Sequence, residues 1–261
     1  MSSLLDVAAY NKQAWDALAR RGNQWTLPVS PEVVSAARLG KLSVLLTPTK
    51  PVPETWLGNL KGRKILGLAS AGGQQGPCFA AAGAEVTIFD NSPEQLSRDR
   101  LVAEREGLAI RLVEGDMKDL SSFGDGEFDM IFHPCSNCFV PDVRPVWREA
   151  YRVLKPGGVL LAGFANPVVF MLDLAHERDG VVELKYKAPF KSTEHADDPE
   201  IIKLRETGEP LDFGHTLEDQ IGGQTDAGFE ITGMFEDGWG AERSPLFALM
   251  NCYIATRARK P

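Results

Sequence analysis

Between residues 61 and 166, short apolar runs alternate with amphipathic stretches, and this alternation restricts the fold more than any other feature of the chain. Strand-like runs fall at 64–69, 85–90, 110–114, 128–133 and 159–165, with helical patterns at 75–82, 93–106 and 143–154 between them. A repeated order of strand then helix predicts a parallel sheet with right-handed crossovers and helices on its faces. Gly83 and the run Pro156-Gly157-Gly158 are credible helix stops. The expected class is therefore α/β, a Rossmann-like doubly wound sheet.

The flanks are less regular. Residues 1–60 open with a predicted helix over 4–20, carrying Leu5, Ala8, Ala9, Trp15 and Leu18 at roughly helical spacing. Pro28, Pro31, Pro48, Pro51 and Pro53 punctuate the stretch after it, so 1–60 reads as a helical lid and lead-in. Residues 61–261 form the main domain, with a small cap inserted at about 167–215 where charged, proline and aromatic residues mix. Beyond it, 217–227 reads as a helix stopped by Gly228, and 229–235 and 247–256 as two closing strands.

Composition narrows the partners. A net charge of −8 over 261 residues argues against nucleic acid or an anionic membrane surface, since both ask for a basic face. The most apolar stretch, 159–172, is interrupted by Gly163, Asn166 and Pro167 and is too short to span a bilayer. The first residues lack a basic start and a long apolar run, which predicts no signal peptide and a soluble, cytoplasmic protein. Cys78, Cys135, Cys138 and Cys252 are expected to be reduced, mostly buried thiols. Cys135 and Cys138 make one C-x-x-C, but no second ligand pair stands at zinc-site spacing. No metal is expected.

Chemistry concentrates at the carboxyl ends of the predicted strands. The first strand runs into Leu68-Ala69-Ser70-Ala71-Gly72-Gly73-Gln74-Gln75-Gly76-Pro77. Small residues there let the backbone approach a ligand, and the following helix start offers free N–H groups; a plain tight turn is the competing reading. Asp90 closes the second strand, where a carboxylate can accept both hydroxyls of a ribose; with Asn91-Ser92-Pro93 after it, a helix cap is the alternative. Asp116, next to Met117, is either an acceptor for an exocyclic amine or a surface loop acid. His133 ends the fourth strand as a general base, a cofactor-positioning group or a packed histidine. Surface roles are expected for His176, His195 and His215.

Taken together, these segments resemble the class I S-adenosylmethionine-dependent methyltransferases, in particular their small-molecule branch. The resemblance rests on 65–73 as the cofactor loop, 86–90 as the ribose strand and Gly115-Asp116-Met117 as the adenine loop. Phe128-Asp129-Met130-Ile131-Phe132 and the run from Trp147 to Gly158 sharpen it. It implies a mostly parallel sheet with an antiparallel closing strand, and S-adenosylmethionine as cofactor. The residues it points to for binding are Ala69, Ser70, Ala71, Gly72, Gly73, Gln74, Asp90, Asn91, Gln95, Asp116, Met117 and His133. His133 is the candidate catalytic base. Tyr10, Trp25, Asn137 and Phe170 are the candidate contacts to a small-molecule methyl acceptor.

One departure from the family pattern stands out. An acid followed by Gly-x-Gly-x-Gly is usual, whereas this chain has Gly67, with Ala69 and Ala71 at two glycine positions. Alanine is small, but it suits such positions only where φ is negative. Ser70, Gln74 or Gln75 are candidates to replace the acid's contacts. A nicotinamide-dependent oxidoreductase would share the loop and Asp90, but Ala69–Gln74 does not fit its G-x-G-x-x-G pattern. A non-catalytic S-adenosylmethionine-binding protein would explain Gly67.

Overall fold

The computed structural model describes residues 5–261. Three helices precede the sheet: α1 (Val7–Arg21), α2 (Pro31–Arg38) and α3 (Glu54–Leu57). Then follow β1 (Lys64–Leu68), α4 (Gln75–Ala81), β2 (Glu85–Asp90), α5 (Pro93–Glu106), β3 (Ile110–Glu114), β4 (Phe128–His133), α6 (Arg144–Val153) and β5 (Leu154–Ala165). The insertion carries α7 (Leu174–Arg178), β6 (Phe190–Lys191), α8 (Pro199–Glu206) and β7 (Phe213–Gly214). After α9 (Gly223–Asp226), β8 (Glu230–Asp237) and β9 (Tyr253–Arg259) complete the chain. The main sheet has seven strands in the order β3-β2-β1-β4-β5-β9-β8. β1 to β5 pair in parallel, and β9 runs antiparallel to both β5 and β8. β6 and β7 form a separate antiparallel pair.

The strand period of two divides the core into two layers. Ile65, Val86, Ile88, Met130, Phe132 and Leu161 face one side, where Phe79 of α4 and Ala37 of α2 cover them. Leu66, Leu68, Phe89, Ile131 and Leu160 face the other. There α6 presents Val146, Trp147, Ala150 and Val153, spaced three and four apart on one buried stripe. The end of α6 is held by the chain's own tail: Lys260 Nζ donates to Tyr151 O and Leu154 O, both at 2.7 Å, a cation placed at the negative end of a helix.

Three element expectations need correction. The expected helix over 4–20 begins later, at Val7, because the Asp6 carboxylate accepts from Ala9 N and caps it there; residue 4 lies outside the described residues. The helix expected over 217–227 opens with a wide turn at Glu218–Gly222 before α9. The second closing strand is Tyr253–Arg259, not 247–256. Phe247 instead lies in a 3-10 turn, Pro245–Ala248, and packs with Leu172, Leu246 and Cys252 in a satellite cluster. An apolar run there serves a local patch, while the polar-looking Arg257 and Arg259 reach Thr232 and Glu230 across the sheet.

The lead-in is built into this core. Val44, Leu46, Val52, Leu57 and Leu60 are buried with the first layer. The segment crosses β5 at Gly163, where an added Cβ would overlap the Leu46 carbonyl oxygen, so only glycine permits that approach. Leu46 O also accepts from Cys135 N at 3.2 Å. The carboxyl ends of β1 to β5 thus share one edge, and β1 stands between β2 and β4, where the strand order reverses. Open α/β sheets bind ligands at that point.

Candidate cofactor and acceptor cavity

A cavity of about 660 Å³ opens at this edge, within the range usual for small-molecule sites. Strand ends and their loops supply Ala69, Ala71, Gln74, Gln75, Phe89, Asp90, Asn91, Gln95, Gly115, Asp116 and Met117. α1 lies across the opening and contributes one helical stripe, Val7, Ala8, Asn11, Trp15 and Leu18. α1 is anchored to the start of α5 by Ser92 Oγ donating to Asp16 Oδ1 at 2.6 Å. Leu45 to Pro48 of the lead-in form a further wall.

The loop after β1 takes an unusual path. Ala69 has φ 46° and Ala71 φ 66°, the two non-glycine residues with positive φ among those described. The condition under which alanine suits these positions is not met: the backbone keeps the left-handed turns that glycine normally serves, and alanine bears the steric cost. At Gly67 an added Cβ would stand 2.5 Å from Ile88 Cδ1 and 2.6 Å from Ser70 Oγ. The place of the usual acid is thus filled by these two side chains. Beneath the loop, Asp99 of α5 is fully buried and neither carboxylate oxygen has a well-formed hydrogen bond. Burial raises its pKa well above the ordinary value, although the Gly73 amide lies close and opposes that. Gln74 ties the loop to the lead-in, donating through Nε2 to Gln24 O and Leu27 O.

Asp90 sits at the end of β2 with Oδ1 accepting from Ser92 N at 2.8 Å. Burial pushes its pKa up to about 7, with Asp16 adding a smaller repulsion. Asp116 is more open; Lys118 Nζ lies 3.2 Å from its Oδ2. Gly115 packs where a Cβ would overlap the Phe89 ring.

Several expected site residues are placed elsewhere. His133 shares the strand parity of Ile131, so its ring turns away from the cavity and into the α6 layer, edge-on to Trp147 with centroids 5.9 Å apart. Its Nδ1 lies 2.8 Å from Leu68 O, and Nε2 has no partner among the described residues. Desolvation lowers its pKa to about 4. A ring held there lies outside the cavity wall, so it offers no side chain for the expected base role or for a ring contact to the cofactor. Asn137 is also turned inward: its side-chain amide exchanges two hydrogen bonds with Gln220 at 3.0 and 3.1 Å. Tyr10 directs its hydroxyl to Glu209 O, outside the cavity wall. Ser70, Gly72 and Gly73 lie behind the loop, with Gly72 pressed against Gln95 and Gly73 against Arg98. His215, expected at the surface, is buried with Nε2 3.1 Å from Asn137 O. Trp25 and Phe170 do line the cavity.

Other walls were not anticipated. Cys135, Ser136, Cys138 and Phe139 follow β4, Glu209 and Asp212 come from the insertion, Trp239 follows β8 and Tyr253 begins β9. Burial raises the Cys135 thiol to about 12 and that of Cys138 well above its ordinary value, so both are protonated and poor nucleophiles. One residue joins the distant parts. Asn11 of α1 donates through Nδ2 to Phe139 O at 2.9 Å and Leu211 O at 3.1 Å, and its Oδ1 accepts from Leu211 N at 2.7 Å.

Residues 66–162 match a family described as a methyltransferase domain. Over 254 residues the chain is 49% identical to an uncharacterized methyltransferase, YbaJ, of Bacillus subtilis, covering 97% of this chain and 98% of the relative. The chain belongs to the class I S-adenosylmethionine-dependent methyltransferases. Sterol 24-C-methyltransferase of Aspergillus fumigatus is 35% identical over 106 residues, 40% of this chain and 28% of that protein. A crystal structure of an S-adenosylmethionine-dependent methyltransferase from Mesorhizobium loti superposes with a TM-score of 0.60 at 18% identity, covering 79% of this chain and 94% of that one. The enzyme is thus a methyltransferase with S-adenosylmethionine as its cofactor. Its cavity fits that group: the walls carry Asp90, Asp116, Glu209 and Asp212 against one lysine among the described residues, Lys118, an environment that favours a cationic sulfonium. Among the described residues, no helix is long and apolar enough to cross a membrane.

Proposed function

We propose that the cavity carries cofactor and acceptor end to end, and that the reaction is methyl transfer to a small molecule enclosed by α1 and the 167–215 insertion. The observation supporting this most directly is the continuity of one cavity from Asp90 and Asp116 to Phe170, Trp239 and Tyr253. In this reading Asp90 accepts from the ribose hydroxyls, Asp116 from the adenine amine, and Met117 packs on the purine face. Ala69, Ala71, Gln74, Asn91 and Gln95 border the remainder, with Trp25 and Phe170 on the acceptor side. The cofactor supplies the methyl group and its sulfonium leaving group. The protein's work is alignment and exclusion of water, which α1 and the lead-in provide by covering the opening.

A concave cavity partly covered by α1 and the insertion, and a net charge of −8, support a small acceptor over a nucleic acid. Four cysteines without disulfides, Cys78 and Cys252 fully buried, suit a reducing compartment such as the cytoplasm. The test is S-adenosylhomocysteine release from purified protein supplied with S-adenosylmethionine and an extract of small metabolites. Release that requires the low-molecular-mass fraction is expected. Release that requires only the macromolecular fraction would refute the reading.

A further inference from the structure

The acceptor side of the cavity holds a carboxylate whose placement has no structural explanation. Asp212 stands just before β7, and its backbone is fixed on both sides. Asp212 O accepts from Ser192 N at 3.0 Å, and Asp212 N donates to Ser192 Oγ at 3.1 Å. The preceding Leu211 is held at both backbone groups by Asn11. A residue held this firmly presents its side chain in one direction, and here that direction is the cavity. The carboxylate makes no hydrogen bond or ion pair with any described residue. Its charged neighbour is Glu209, which raises rather than relieves its burden. The protonated Cys138 is a further titratable group close to it.

Aromatic rings also line the cavity. Phe170 lies against Gly214 of β7, where an added Cβ would meet its ring at 2.7 Å, and Trp25, Trp239 and Tyr253 line the same cavity. Trp25 and Trp239 are 5.9 Å apart, centroid to centroid. Lys118, the one lysine in the cavity wall among the described residues, is paired with Asp116. Two carboxylates among aromatic rings, with the lysine already paired to Asp116, together select a positively charged or proton-donating group on an apolar body.

We propose that the methyl acceptor is an amine with an aromatic or apolar body, and that Asp212 is the catalytic residue that binds its ammonium and takes its proton. The proposal rests on the methyl-transfer reading above. The amine arrives as R–NH3⁺ and pairs with the Asp212 carboxylate. One proton passes from nitrogen to a carboxylate oxygen, leaving a neutral amine with a lone pair. That pair forms the new N–C bond as the methyl–sulfur bond breaks, and the bonding electrons stay on sulfur as a thioether. The product leaves as R–NH2–CH3⁺, and Asp212 returns its proton to solvent. Burial in the aromatic pocket raises the Asp212 carboxyl to about 7, which suits a group that must ionise to bind and still accept a proton.

Titration calorimetry on the full chain saturated with S-adenosylhomocysteine tests this with tryptamine and phenethylamine as probes. Indole-3-propionate and phenethyl alcohol serve as the anionic and neutral counterparts. At least one amine is expected to bind at least tenfold more tightly than either counterpart. Asp212→Asn, which keeps the shape, is expected to lose that preference while its S-adenosylhomocysteine affinity stays unchanged. Equal or tighter binding of the anion or the alcohol overturns the proposal, as does failure of both amines or an unchanged preference in Asp212→Asn. S-adenosylhomocysteine release on a non-amine acceptor would overturn it too and leave the methyl-transfer reading standing. Failure of the chain to bind S-adenosylhomocysteine at all would remove both.

Discussion

Replacing Asn11 by alanine removes three hydrogen bonds that join α1, the turn after β4 and the strand-like segment before β7. Asn11 and Leu211 are each 1% exposed, so water does not replace what is lost. The Leu211 N–H becomes a buried donor without its acceptor, which costs about 1–3 kcal/mol. The two carbonyls lose a shared donor, a smaller penalty because an under-satisfied C=O is better tolerated. The expected destabilisation is about 3 kcal/mol. Asn11→Asp makes the argument sharper. It keeps an acceptor for Leu211 N but sets a second oxygen against Phe139 O and Leu211 O, so it should not rescue stability. Urea denaturation followed by tryptophan fluorescence and far-ultraviolet circular dichroism measures both variants. A loss below about 0.5 kcal/mol for Asn11→Ala, the range of an ordinary surface substitution, or full rescue by aspartate, would show that this junction does not carry the packing of α1.

Asp90→Asn should weaken S-adenosylmethionine binding by about 1–3 kcal/mol in calorimetry, through loss of charge-assisted hydrogen bonds. The same change should stabilise the ligand-free protein above neutral pH. The folded-state carboxyl titrates near 7 against an ordinary 3.8, so the wild type loses stability as pH rises between those values and the variant does not; parallel pH–stability curves would count against this. Ala71→Gly should leave stability within about 1 kcal/mol of wild type or raise it, since relief of the left-handed alanine offsets the added unfolded-state entropy, and thermal unfolding reads the sign. Hydrogen exchange with S-adenosylhomocysteine should protect 7–25 and 204–212 as well as the strand-end loops; protection limited to the loops would detach α1 and the insertion from the site. Purified protein should hold no stoichiometric zinc by elemental analysis, because Cys135 and Cys138 belong to no cluster of three or more metal-ligating side chains among the described residues.

The proposed cofactor half is legible in the sequence because its residues are local. A strand end, a turn and a helix start succeed one another within a dozen residues or so, and the alternation of elements brings five such ends to one edge. The acceptor half is not, since its walls come from segments far apart in the chain. Nothing near Leu46 announces that it crosses β5; the one hint is Gly163, a glycine in an apolar strand that marks close backbone approach. The placement of His133 escapes the sequence for a different reason. Strand periodicity shows that it faces the same way as Ile131, but only the packing of α6 decides which layer that is. The positive φ of Ala69 and Ala71 shows backbone path winning over side-chain preference. Asp212 carries no signal, because a carboxylate between Leu211 and Phe213 looks like any strand-edge polar residue.

The crossing of the lead-in over Gly163 also bears on how such an enzyme can change its substrate. The segment that matches the family pattern, 66–162, ends just before that crossing. Trp25, Leu46, Phe170, Asp212, Trp239 and Tyr253 all lie outside it. Drift in these outlying stretches can therefore reshape the acceptor chamber while the cofactor cradle stays as it is. A transplant of 66–162 from a relative should carry over the cofactor and leave the host's choice of acceptor intact, provided that the wall residues Cys135, Ser136, Cys138 and Phe139 are kept.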